Sequence, residues 1–316
     1  MCRLVVGAQK VLAKSPTSTL ACKRILVTGG SGYIGSKIIR HLLSCGIETA
    51  AMTFSSGNSL FNLTSNKFFK IFQVNTNYDN VFTILQSYQP DIIIHLASPG
   101  KTVENQSEFV TGILNYGHEI LTAMVELGIN HIVNTGTYWE HFENAQYDPV
   151  DYYAACKNAF QCQLDYFSNV KGIRAVTLKL YDVYGSDDAR NKLLNQLIRN
   201  AGSEKAHDLT PGFQILNYVY IDDVISAYCQ AMVITQNMRI PEHRSFGVRS
   251  DENFTLQSVV HVLEHVINKS IKITWGALNY MPRTNFDAVD IIPKLPGWTT
   301  TISLKEGLQK IINSKL

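Results

Sequence analysis

The chain has 316 residues, of which 45% are hydrophobic, enough for one large domain or two unequal ones around a substantial core. A formal charge of +2 with no block of like charges gives no support for nucleic acid or an anionic membrane as partner, and no apolar run is long enough to cross a bilayer. Six scattered cysteines (Cys2, Cys22, Cys45, Cys156, Cys162, Cys229) contain no Cys-x-x-Cys pair, so neither a metal site nor a disulfide framework is expected and the compartment reads as reduced and cytoplasmic.

Residues 1–22 precede the first strand. Their short apolar groups, Leu4-Val5-Val6 and Val11-Leu12-Ala13, are too brief for the centre of a signal peptide, so they read as a loosely held extension or a start set too far upstream. Ile25 to Val27 is a β-branched run that predicts a buried strand, and Ile38, Ile39, Leu42 and Leu43 predict a helix with one face on a sheet. Between them lies Thr28-Gly29-Gly30-Ser31-Gly32-Tyr33-Ile34-Gly35. In that setting Gly29 permits a tight turn, Gly32 admits a pyrophosphate and Gly35 allows close helix–strand packing, with the diphosphate on free amides at the helix start.

Glu48 to Phe54 is the second strand. An acid near its end, about 20 residues past the glycines, would bind a ribose 2′-hydroxyl and repel a 2′-phosphate. None lies between Thr49 and Phe72, so the pattern leans to NADP(H) with NAD(H) open, and Thr53, Ser55 and Ser56 offer hydroxyls to a phosphate. Lys70 to Val74 reads as a strand, Val81 to Tyr88 as a helix and Asp91 to Ala97 as a strand covered on both faces. His95 within it reads as a core histidine. A helix over Val110 to Leu127 and a strand over His131 to Asn134 follow, the latter ending in a Thr135-Gly136-Thr137 turn. This alternation predicts a doubly wound parallel sheet with ligands beyond the carboxyl ends of its strands.

Tyr153 and Lys157, four apart at the start of a helix running to about Phe167, share one face. A neighbouring ammonium is expected to lower the phenol pKa, and a hydroxyl from the Thr135–Thr137 turn would hydrogen-bond a substrate oxygen beside it.

The chain resembles the extended short-chain dehydrogenases/reductases, the nucleotide-sugar epimerases, dehydratases and ketoreductases. The likeness rests on the glycine turn, His95-Leu96-Ala97-Ser98, Asn115, Tyr153-Ala-Ala-Cys-Lys157, Tyr184-Gly185, Tyr218 to Val224, and Leu295-Pro296-Gly297-Trp298 with Ser303 to Leu308. It implies a Rossmann-like domain over 23–180 and a smaller α/β substrate-binding lobe over 181–316, the chain recrossing near 217–232. It implies a homodimer through the helices near 110–127 and 153–167. Tyr153 would move the proton and Lys157 would bind the nicotinamide ribose, with Thr135 or Thr137 as third catalytic group. Gly29, Gly32, Tyr33, Ile34, Gly35, Leu96, Ala97, Ser98 and Asn115 would border the cofactor. Lys192, Arg283 and Tyr184 would face the substrate.

Thr135-Gly136-Thr137 lacks the acids that the related dehydratases use, and the acid usual in NAD-retaining epimerases is absent after strand two. The resemblance is nearest to reductases of CDP-4-keto-deoxyhexoses, such as abequose and paratose synthases. It implies NADPH-dependent reduction of the C4 ketone of a CDP-linked 4-keto-6-deoxy or 3,6-dideoxy hexose for O-antigen sugars. A 4-epimerase with retained NAD is the first alternative, and a non-catalytic NADP-binding regulator the second. Ser186 in place of a proline and Leu216-Asn217 in place of Arg-Asp depart from the family pattern at the nucleotide and sugar contacts.

Overall fold

The computed structural model describes residues 22–54, 58–74, 78–99 and 105–314. The first half alternates β1 (Arg24–Thr28), α1 (Tyr33–Ser44), β2 (Glu48–Thr53), β3 (Phe69–Gln73), α2 (Tyr78–Tyr88) and β4 (Ile92–His95). A continuous helical stretch then runs through α3 (Gln106–Phe109), a π-helical segment (Val110–Asn115) and α4 (Tyr116–Leu127) to β5 (His131–Thr137), α5 (Tyr152–Lys171) and β6 (Arg174–Leu180). The second half contains β7 (Asp182–Tyr184), α6 (Leu193–Arg199), β8 (His207–Leu209), β9 (Ile215–Leu216), β10 (Tyr218–Tyr220) and α7 (Ile221–Asn237). It closes with β11 (His243–Val248), β12 (Phe254–Thr255), α8 (Leu256–Ile267), β13 (Ile273–Trp275) and α9 (Leu304–Asn313).

Seven parallel strands form the central sheet in the order β11-β6-β5-β4-β1-β2-β3. The predicted doubly wound parallel sheet is therefore what this sequence builds. Because side chains alternate across a strand, Ile25 and Val27 enter the core beneath α1 and α7, while Leu26 enters the one beneath α2, α4 and α5. Both cores need apolar residues, which is why Ile92, Ile93 and Ile94 stand in an unbroken run. Strand order reverses between β1 and β4, so the crevice for a ligand opens beyond the ends Thr28 and His95.

β5 is longer than the sequence pattern predicts. Thr135, Gly136 and Thr137 are not a turn but the last strand residues, held in register with Leu178, Lys179 and Leu180 of β6. The turn begins at Tyr138. The sheet also takes its outer strand β11 from beyond residue 181, a strand the pattern reading did not find. The Tyr218–Val224 motif and the Trp298 motif form one seam. Asp223, buried, accepts from the amides of Thr301 and Ile302, and its carbonyl accepts from Trp298 Nε1 at 3.0 Å. No helix of the described residues is long and apolar enough to cross a membrane, and no group of three or more possible metal ligands lies among them.

Candidate active site

At the glycine turn the backbone fills space a side chain would need. Gly29 has φ +66°, and a Cβ there would lie 2.9 Å from the backbone of Ala97; one on Gly35 would lie 2.5 Å from Gly29 O. Gly32 caps α1 without a side-chain acceptor, and the first turn of the helix carries no acid. Free amides and an unopposed helix dipole suit a diphosphate, so the residues present fit a dinucleotide cofactor. Ile34, partly buried, packs on the core. Tyr33 reaches the other way: its hydroxyl donates to Ser186 O at 3.1 Å and its ring lies 4.5 Å beneath the Arg190 guanidinium.

The end of β2 carries no acid, the sequence having none between Thr49 and Phe72. Thr53 Oγ1 and Ser31 Oγ form a hydroxyl pair at 2.6 Å instead, and Phe54 stands edge-on to Tyr116. Ser55 and Ser56 lie outside the described residues. Across the crevice Leu96 is partly buried, Ala97 is buried and Asn115 is exposed at the end of the π-helical segment. That segment lies against Pro99, whose ring occupies the space beside Gly112.

Asp151 caps α5 by accepting from Ala154 N at 2.8 Å, which starts the helix so that Tyr153 and Lys157 face β5. Lys157 is 2% exposed, its Nζ donates to Thr135 O at 3.0 Å, and it lies 5.8 Å from the centre of the Tyr153 ring. Burial lowers its pKa to about 8, with Glu140 pulling the other way. The expected fall in the Tyr153 pKa is not what the structure gives. Burial pushes the phenol up to about 12, and the opposing influence is a hydrogen bond with Ser98. Sequence spacing showed the proximity of Lys157 but not the depth at which both groups sit; in a dry site the cost of an uncompensated phenolate outweighs a distant ammonium.

The two threonines differ. Thr135 Oγ1 pairs with the hydroxyl of Tyr228, a fully buried residue of α7, at 2.7 Å. Thr137 ends β5, and its oxygen accepts from Trp139 N at 3.3 Å, opening a capping box with Glu140. Glu140 is 0% exposed and bonded to Lys179, Gln161 and Thr137 N, so its carboxylate is fully engaged. The spacing Thr137-Tyr-Trp-Glu140 is a readable signal for it. Tyr228, 93 residues from Thr135, had none.

His95 is a buried core histidine, as predicted. Thr28 Oγ1 accepts from Ala97 N and pairs with His95 Nδ1 at 2.8 Å. Burial, aided by Lys157, lowers its pKa to about 3. Its native pKa lies below the unfolded value near 6.5, so its contribution is complete above pH 6.5 and is lost as pH falls towards 3. Between pH 6.5 and 5 this amounts to about 1.5–2 kcal/mol. Urea unfolding of His95→Gln should show a shallower pH slope than the parent over that window; parallel slopes would overturn the assignment.

The three residues expected to face the substrate are placed differently from one another. Lys192 precedes α6 and is exposed, its pKa lowered by the surrounding protein and by Arg190 against the pull of Asp182 and Asp188. Asp182, just beyond β6, accepts from Tyr138 Oη at 3.2 Å and so stands beside the Thr137 end of β5. Arg283 is ion-paired to Asp148 and stacked 4.4 Å from the Phe142 ring. Tyr184 is buried, with its hydroxyl donating to the carbonyls of Ser303 and Leu304 at the start of α9. It thus ties β7 to the start of α9.

A family model described as the NAD dependent epimerase/dehydratase family matches residues 25–247. The chain belongs to that family. Among curated proteins of known name, it is 27% identical to the CDP-abequose synthase of Yersinia pseudotuberculosis over 84% of this chain and 95% of that protein. It is 24% identical to the UDP-glucuronate 4-epimerase of Thermodesulfobacterium geofontis over 91% and 94%. Among solved structures, the Bacillus cereus UDP-glucuronic acid 4-epimerase with UDP-glucuronic acid and NAD superposes with TM-score 0.79 at 19% identity, covering 92% of this chain and 98% of that one. Family membership makes the chain an enzyme of the NAD-dependent oxidoreductase type.

Proposed function

We propose that the chain reduces the C4 ketone of a CDP-linked 4-keto-6-deoxy or 3,6-dideoxy hexose with NADPH. The observation that carries the reading is the set of groups at the end of β5: a buried phenol and ammonium beside two threonine hydroxyls, with the Glu140 carboxylate already bonded to the backbone of Thr137. The Ser31–Thr53 hydroxyl pair supports NADPH, since the sequence carries no acid between Thr49 and Phe72 to repel a 2′-phosphate. The likeness to CDP-abequose synthase supports a CDP sugar.

Nicotinamide, when bound, would supply the hydride for the carbonyl carbon. Tyr153, kept protonated by burial, gives its proton to the developing alkoxide. Lys157 holds the cofactor ribose and supplies positive charge beneath the phenol. Thr137 donates to the carbonyl oxygen: its own oxygen accepts from backbone amides of the following turn, and among the described residues no acceptor takes its proton. Thr135, paired with Tyr228, fixes the carbonyl that anchors Lys157. Lys192 takes the substrate diphosphate. A cytoplasmic homodimer through α4 and α5 belongs to the same reading; Tyr166 and Val170 on α5 are exposed.

The 4-epimerase with retained NAD is the second reading, favoured by the match to UDP-glucuronate 4-epimerase along nearly the whole chain. One experiment separates the two. Incubated with NADPH and CDP-4-keto-3,6-dideoxyglucose, with NADH and dTDP-4-keto-6-deoxyglucose in parallel, the enzyme should oxidise NADPH stoichiometrically with the CDP sugar. No oxidation with any 4-keto sugar, together with nicotinamide that co-purifies and interconversion of UDP sugars, would replace the reductase by the epimerase. The regulatory reading would require that neither reaction occur.

A further inference from the structure

Glu140, fully buried, is bonded to the strand that carries Thr137 and to the helix that carries Tyr153 and Lys157. Its Oε1 accepts from Thr137 N at 3.1 Å, fixing the end of β5. Its Oε2 accepts from Gln161 Nε2 at 2.7 Å and meets Lys179 Nζ of β6 at 2.8 Å. Gln161 sits one turn beyond Lys157 on α5; its Nε2 also reaches Lys157 O at 3.5 Å, and its Oε1 accepts from Ser245 of β11. Lys179 Nζ in turn donates to His141 Nε2 at 2.7 Å, and the other ring nitrogen of His141 meets Ala145 O at 3.0 Å. One carboxylate therefore joins the hydroxyl strand, the Tyr–Lys helix and two neighbouring strands. A capping box on a surface turn needs none of this: its glutamate can stand in water with the same two backbone contacts.

We infer that Glu140 is a positioning residue, holding Thr137 in register with Tyr153 and Lys157 and furnishing the counter-charge for the Lys157 ammonium; the inference rests on the proposed acid–base role of that pair. The groups facing Lys157 are Thr135 O and Glu140 from the β5 side, the neutral His95 ring from β4, and Tyr153 on its own helix. Glu140 is the negative charge in that set, and Lys179 and His141 occupy its remaining side. Removing the carboxylate leaves Lys157 buried without a counter-charge, which favours the neutral amine.

Glu140→Gln tests this, with Glu140→Gln/Lys179→Met as a second variant that also removes the charge stranded at Lys179 should the first fail to fold. Each variant is compared with the parent in whichever reaction the parent performs, reduction or epimerisation, so a failed reductase assignment does not blur the result. The expected outcome is cofactor affinity and KM within threefold of the parent and kcat lower by 10- to 100-fold. In Glu140→Gln the alkaline limb of the kcat profile, near pH 8 in the parent, should move to lower pH. Lysine side-chain NMR gives a readout independent of turnover: the resonance missing from Lys157→Met should titrate at lower pH in Glu140→Gln. A folded, cofactor-binding variant with parental kcat, or an unmoved Lys157 titration, would reduce Glu140 to a structural cap and overturn the inference.

Discussion

Tyr153→Phe should lower turnover by about three orders of magnitude while leaving cofactor affinity within about twofold, the range expected for loss of a positioned general acid. The substitution removes one oxygen from a ring whose packing survives: the aromatic face keeps its edge contact with Phe109 at 5.8 Å, and Ser98 keeps its bond to Pro99 O at 3.1 Å. Burial holds the phenol near pKa 12, so at neutral pH Tyr153 is a proton donor in the reductive direction and needs its proton restored after each turnover. Lys157 is suited to that restoration because its own pKa is lowered to about 8, within reach of neutral pH. Cofactor titration and steady-state kinetics on the same preparation check the prediction. Parental turnover in the variant would remove Tyr153 from the chemistry, and loss of cofactor affinity would make it a binding residue.

The parts of the site legible in the sequence are those where one local segment carries the whole message. The glycine turn is such a segment, since strand, turn and helix start are contiguous, and so is the Ile92–Ile94 run. Tyr153 and Lys157 were legible because a helix fixes their common face. What could not be read depends on partners far along the chain. Thr135-Gly136-Thr137 reads as a turn because of its central glycine, and it is extended because β6 offers it a complete ladder; tertiary pairing overrides local preference. The π-helical segment at Val110–Asn115 leaves no trace in apolar periodicity, since its neighbours α3 and α4 continue on both sides. The tie from Thr135 to Tyr228, the seat of Arg283 on Asp148 and the use of Tyr184 to hold α9 all span long sequence separations. The direction of the Tyr153 pKa was misread for a related reason: spacing gives distance, but burial is a property of the assembled layers.

Gly35→Ala should abolish measurable cofactor binding and also lower stability. Its added methyl would lie 2.5 Å from Gly29 O and 2.9 Å from Gly30 Cα, closer than side-chain carbons approach backbone. The turn cannot yield cheaply. Gly29 O already accepts from Gly32 N at 3.0 Å, and Gly29 N donates to Met52 O at 2.9 Å, so the carbonyl is fixed from both sides. Gly29 itself is pressed against Ala97. Relief must come from lifting α1 off β1, which costs on the order of 1–3 kcal/mol and moves the amides that would hold the diphosphate. Gly46→Ala is the matched control: its φ is +77° but a Cβ there meets nothing within 4 Å. It should cost about 1–2 kcal/mol of stability through backbone strain alone and leave cofactor affinity unchanged. Fluorescence titration with NADPH and NADH, beside thermal melts of both variants, separates the two effects. If Gly35→Ala melts like Gly46→Ala and still binds either cofactor normally, the turn does not hold the dinucleotide.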